Sequence, residues 1–144
     1  MANVFKVGCL QIITPASWLD ITHDMEERDP PFSLARSDGV GAIQFSVAEF
    51  RGGRPPRINL SAITELLADF AQSRELGQSY DAAYRENPLL IAAASFNSCD
   101  RFWRVWYCSD GQSVTLVTYN CLTGLEQAEL VDCESIVRNL KFLG

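Results

Sequence analysis

The sequence predicts an α+β fold in which a mainly antiparallel sheet is flanked by two principal helices. Three observations carry that prediction. Aromatic and β-branched residues run from Asp100 to Asn120 on either side of Asp110-Gly111, the pattern of a β-hairpin. Two stretches, 59–75 and 125–140, instead repeat their apolar residues every three or four positions, as amphipathic helices do. Strands, a helix, more strands and a helix follow one another, an α+β order rather than the regular alternation of α/β chains. No repeat, low-complexity tract or linker divides the 144 residues, so they read as one domain spanning 1–144. A chain of that size buries ~68–70% of its unfolded surface and needs no covalent staples.

The elements follow in order. Residues 4–13 alternate loosely and stop at Thr14-Pro15, where proline removes a ladder donor, so they form the first strand region. After the Pro15-Ala16-Ser17 turn, Trp18 to Thr22 is a short strand, and the polar run from His23 to Pro31 is a loop. Phe32 to Arg36 and Val40 to Phe50 make an antiparallel hairpin about Ser37-Asp38-Gly39. Within it Ile43, Phe45 and Val47 share the core face, and Gln44, Ser46 and Ala48 the other. Residues 51–57, with two glycines, two prolines and three arginines, are a loop.

A helix then runs over roughly 59–75, capped by Asn59 or Ser61, with Leu60, Ile63, Leu66, Leu67 and Phe70 on one stripe and Gly77 closing it. Residues 78–84 suit a short edge strand. Leu89 to Phe96 is bounded by Asn87-Pro88 and Asn97 to Asp100, which makes it a strand buried on both faces; its three alanines let a helix approach closely.

In the hairpin, a two-residue Asp110-Gly111 loop pairs Ser109 with Gln112. One face then carries Trp103, Val105 and Tyr107 with Val114, Leu116 and Thr118. The other carries Phe102, Arg104, Trp106 and Cys108 with Ser113, Thr115, Val117 and Tyr119. In the last helix, Glu126, Glu129, Asp132 and Glu134 enrich the half where the helix dipole favours anions, and Leu130, Cys133, Val137 and Leu140 form the stripe.

This order of elements resembles the PsbP-like α/β sandwich superfamily, whose members include small bacterial proteins and a eukaryotic nuclear-transport accessory factor. The resemblance rests on Pro15-Ala16-Ser17-Trp18 closing the first strand, the Gly41 to Ser46 strand, the helix after it, the Trp-rich hairpin, and a last helix ending in Lys141-Phe142. It implies an antiparallel sheet with helices on both faces and a non-enzymatic role in binding or assembly. It transfers no catalytic residue. Photosynthetic members carry a leader to the thylakoid lumen, and Met1 to Val7 has no such pattern, so no photosystem role is expected.

A formal charge of −6 and a pI near 4.7 disfavour nucleic acid and anionic membranes and favour a basic protein partner. Without a signal or spanning segment, the chain is expected in the cytoplasm. Its five cysteines lack C-x-x-C spacing and read as buried thiols rather than disulfides or a zinc site. His23 is the sole histidine, within an acidic loop holding Asp20, Asp24, Glu26, Glu27 and Asp29. That loop lacks the glycine turn and terminal glutamate of an EF-hand, so neither metal nor cofactor is expected. Gly39-Val40-Gly41 and Gly52-Gly53 lack phosphate-loop context and read as turns.

Arg104 among Phe102, Trp106 and Tyr119 has hot-spot composition: an open face there binds a partner, whereas a face covered by the terminal helix is core. The partner-binding candidates are therefore Phe102, Arg104, Trp106, Tyr119, Asp24, Glu26 and Glu27. The expected function is non-enzymatic protein binding, most specifically immunity-type inhibition of a basic toxin domain. The alternative is a small-ligand pocket or enzyme built on His23 and the acidic loop; self-association through strand 78–84 would instead make a homo-oligomer.

Overall fold

The computed structural model describes residues 2–26, 28–48 and 57–143. Among these, seven strands form one antiparallel sheet: β3 (Trp18–Asp20), β4 (Phe32–Arg36), β5 (Gly41–Ala48), β6 (Tyr80–Arg85), β7 (Leu90–Ser98), β8 (Arg101–Ser109) and β9 (Val114–Leu122). Their order across the sheet is β3-β4-β5-β9-β8-β7-β6. A second sheet joins β1 (Ala2–Val7), β2 (Leu10–Pro15) and β10 (Lys141–Phe142). The predicted strand region 4–13 is thus a hairpin, β1 and β2, turning at Gly8-Cys9. Gly8 takes φ +57°, open to a residue without Cβ, and a glycine inside a loose alternation gave no sign of a reversal.

In the central hairpin the register runs from Arg101 opposite Leu122 to Ser109 opposite Val114, leaving a four-residue loop rather than two. Asp110 causes the difference. Its Oδ1 accepts hydrogen bonds from the backbone N–H of both Gln112 and Ser113 at 2.9 Å, and Gly111 follows the turn at φ +100°. Pairing is therefore displaced by two residues from the predicted one. Because side chains alternate with period two, an even displacement leaves both predicted face sets intact.

One face of the large sheet carries α1 (Leu60–Ser73), started by Asn59, whose Oδ1 accepts from Ala62 N–H at 2.8 Å. Ile63 and Leu67 pack on Ala92, Ala94, Phe96 and Val105. Ala92 and Ala94 present only methyl groups to α1 there. β7 is buried on both faces, as predicted, with Ile91 and Ala93 in the opposite core.

The other face carries α2 (Leu130–Arg138) and the small sheet, which close over Ile43, Phe45, Trp106, Val117 and Tyr119. Side chains of this size contribute ~1.5–3 kcal/mol each when fully buried. The predicted helix 125–140 resolves into a 3₁₀ turn (Glu126–Ala128) and the nine residues of α2, after which β10 pairs with β2. A nine-residue helix does not stand alone in water. Here three of the four predicted dipole acids act as tertiary acceptors instead. Glu129 accepts from Gly41 N–H at 3.0 Å and Tyr119 O–H at 2.9 Å, and Asp132 from Trp18 Nε1 at 3.0 Å. Glu134 accepts from Arg104 Nε at 2.9 Å and Trp106 Nε1 at 3.3 Å. The reason is geometric: Glu126 and Glu129 precede the helix, and Asp132 and Glu134 face donors on the strands beneath.

Candidate functional site

α1 covers only the β7–β8 half of its face. On the other half, Ala42, Gln44 and Ser46 of β5 alternate into the same plane as Leu116, Thr118 and Asn120 of β9 and floor a trough of about 630 Å³. The predicted β5 face without Ile43 and Phe45 is this floor, and its polar composition follows from having no helix above it. One wall is Phe70 and Arg74 of α1; the end is Arg101 and Trp103 of β8; the far wall is Met25, Asp29 and Pro31.

Local hydrogen bonds hold that far wall. Asp20 Oδ1 accepts from Thr22 N–H at 2.9 Å, starting a 3₁₀ turn (Thr22–Asp24). Thr22 Oγ1 accepts from Ser33 N–H at 2.9 Å, Ser33 Oγ donates to the Pro31 carbonyl at 2.8 Å, and Gln44 Nε2 donates to Ser33 Oγ at 3.1 Å. The loop is thereby tied to the floor. Slight burial works against the Asp20 charge, but the bonds from Thr22 and the nearby His23 outweigh it and hold the carboxyl below its ordinary value.

Two cations converge on the trough. Ser98, opposite Arg101 in the β7–β8 ladder, donates through Oγ to the Glu75 carbonyl at 3.3 Å, which brings the end of α1 and Arg74 to the start of β8. The Arg74 guanidinium stands 5.2 Å from the Phe70 ring centroid, and Arg101 donates to Asn120 Oδ1. Among the described residues the ion pairs join Arg36 to Asp38 and Glu129 and Arg104 to Glu134; Arg74 and Arg101 are in none.

The predicted binding residues divide. Phe102, Arg104, Trp106 and Tyr119 lie beneath α2 with at most 6% exposure, so this face is core and not an open contact surface. The terminal helix covers it because each polar group there meets a partner: Arg104 also donates to the Asp81 carbonyl at 2.6 Å and Ser95 Oγ at 3.1 Å. Asp24 and Glu26 are exposed and flank Met25 of the trough wall, while Glu27 lies outside the described residues. His23 is exposed beside them and does not line the trough, so the pocket imagined around it is walled by Met25, Asp29 and Pro31 instead.

The thiols Cys108, Cys121 and Cys133 are buried, and burial pushes all three above the ordinary thiol value, away from the reactive thiolate. Arg74 and Arg101 are not among the residues that the sequence singles out, and Glu129 reads there only as an acid suited to the helix dipole. Arg74 closes the apolar stripe of α1 by helical period, a signal that was available. Glu129 had none: its meeting with Gly41 and Tyr119 depends on three separate elements. Gly39, read as a plain turn, leaves the space it occupies, since a Cβ there would run into its Oε2.

No protein-family model matches the chain, and no curated protein matches its sequence. Solved structures do match. The cyanobacterial PsbP of Synechocystis sp. PCC 6803 superposes with a TM-score of 0.64 at 6% identity, covering 98% of this chain and 92% of that one. The fold is PsbP-like. The Ran-binding protein Mog1p of Saccharomyces cerevisiae shares it, with a TM-score of 0.60, 10% identity, and 99% and 97% of the two chains covered. A protein of Bacteroides thetaiotaomicron also does, at 0.60 and 12%; the match covers 94% of this chain but only 46% of the Bacteroides chain. At these identities the PsbP-like likeness concerns architecture, and it carries no role to the trough residues. No helix among the described residues is long and apolar enough to cross a membrane.

Proposed function

We propose that the chain is a single α+β domain that works without catalysis by binding another protein. The observation that carries this reading is the asymmetry of the sandwich. One face of the large sheet is sealed by α2 and the small sheet, whereas the other is half open and forms a concave trough beside an exposed acidic loop. The trough lining offers guanidinium, amide and hydroxyl groups around Trp103 and Phe70, a composition suited to recognition rather than a nucleophile with its base. Binding of a protein partner by this architecture has a counterpart in Mog1p, which is described as Ran-binding.

The finer reading is an immunity-type inhibitor acting in the cytoplasm, where Cys108, Cys121 and Cys133 stay reduced. Its partner is a basic toxin domain, steered by the net charge of −6 and met by Asp24 and Glu26. Co-expression with the product of the adjacent gene tests this: the two proteins co-purify, the chain rescues growth from that product's toxicity, and D24K/E26K weakens both effects. If the two form no complex and the chain gives no rescue, the reading is overturned.

A further inference from the structure

We propose that Arg74 and Arg101 receive carboxylate side chains from an extended segment of the partner protein laid along the trough. This rests on the protein-binding reading and adds the chemistry of the contact.

The two guanidinium groups line the same concavity and have no counter-ion among the described residues. The bond to Asn120 orients Arg101, and the Phe70 ring supports Arg74, so each fork is partly pre-ordered. Pairing of β5 with β9 occupies the floor's backbone groups, which leaves recognition to side chains. A guanidinium fork takes a carboxylate through two parallel N–H···O bonds, and Thr118 is part of the same lining. A trough of about 630 Å³ accommodates a few residues.

A polyanion fits less well. The protein's net charge of −6 repels it at long range, and Asp29 on the opposite wall repels it at contact. Isolated carboxylates, spaced by neutral residues, meet the arginines without crowding Asp29.

The probe is the peptide acetyl-Ser-Glu-Ala-Glu-Ser-amide, titrated at low salt with detection by calorimetry and by the fluorescence of Trp103, which lines the trough. The comparisons are its glutamine twin and an oligothymidylate. Saturable binding of the glutamate peptide is expected, weakened by about tenfold or more in R74Q/R101Q and unchanged in D24N/E26Q. W103F should bind the peptide while losing the fluorescence change. Arg74 is exposed, so R74Q alone provides a variant whose folding is not at risk. Absence of peptide binding, equal affinity in the arginine variants, or oligothymidylate binding at least as tightly would each overturn the proposal. If the peptide fails while the adjacent-gene product still forms its complex, only this inference falls. If both fail, the protein-binding reading falls with it.

Discussion

Removing the buried Glu129 carboxylate, which caps the start of α2, is expected to cost more stability than any single change on the exposed side of that helix. Glu129 is 1% exposed, and its Oε1 accepts from Val40 N–H at 3.3 Å, Gly41 N–H at 3.0 Å and Tyr119 O–H at 2.9 Å. Arg36 Nε stands 4.0 Å from Oε2, a distance that provides charge without a hydrogen bond. In E129A the Tyr119 hydroxyl and the Gly41 amide lose their acceptor inside the protein, at ~1–3 kcal/mol each, and the Arg36 charge loses the more buried of its two partners. Relief of the carboxylate's own desolvation offsets part of this, which leaves a net cost of ~3–5 kcal/mol. E129Q keeps an acceptor oxygen and the shape and should lose ~1–2 kcal/mol, as should Y119F, whose partner retains two N–H donors.

Urea unfolding of the two singles and the double gives the coupling energy, expected at ~1–2 kcal/mol, with equal m-values confirming a common unfolding reaction. An E129A loss below ~1 kcal/mol would show that desolvation cancels the network and that apolar packing alone seats α2.

Three further outcomes follow from the same packing. The phenol of Tyr119 is pushed up first by burial and then by its bonds to Cys121 and Glu129, and burial also raises Cys108 and Cys133. Groups with raised folded values contribute stability that is complete below their unfolded values of 9.0 for the thiols and 10.0 for the phenol, and is lost as pH rises beyond them. The urea midpoint should therefore fall above about pH 9, and Y119F should show a shallower decline; a parallel decline in both would remove Tyr119 as a cause. Native protein treated with an aromatic disulfide reagent should label exposed Cys99 at once and Cys108, Cys121 and Cys133 only on unfolding, as mass spectrometry of peptides would show. Gly41→Ala places a Cβ against the Asn120 carbonyl and within 2.9 Å of Cys121 Cβ, so a loss of ~1–3 kcal/mol by thermal melting is expected, and a neutral substitution would mean that β5 and β9 separate more easily than their full ladder implies.

The parts of the fold that were legible in sequence are those whose cause is local. Asn59 caps α1 because its side chain reaches an amide three residues away, and the alternation of Ile43 and Phe45 with Gln44 and Ser46 sorts β5 into a core face and a trough floor. The hairpin faces survived an error in loop length because that error was even. The Gly8-Cys9 reversal and the small sheet were not legible: β10 has only two residues, and it pairs with β2 across almost the whole chain.

The candidate site was half legible. The acidic loop was visible as a run of charge, and the polar side of β5 as an alternation. Arg74 and Arg101 are 27 positions apart in sequence, and only the docking of α1 onto β7 and β8 brings them into one trough.

By itself the sequence determined the α+β class, both helices, the central hairpin and the identity of its two faces, because periodicity and turn chemistry act within a few residues. Tertiary structure decided which face is closed. Arg104, Trp106 and Tyr119 have the composition of a contact surface. They became core because Glu129, just before α2, and Glu134 of α2 supply the acceptors that allow their polar groups to leave water. The opening lies instead over β5 and β9, where α1 does not reach.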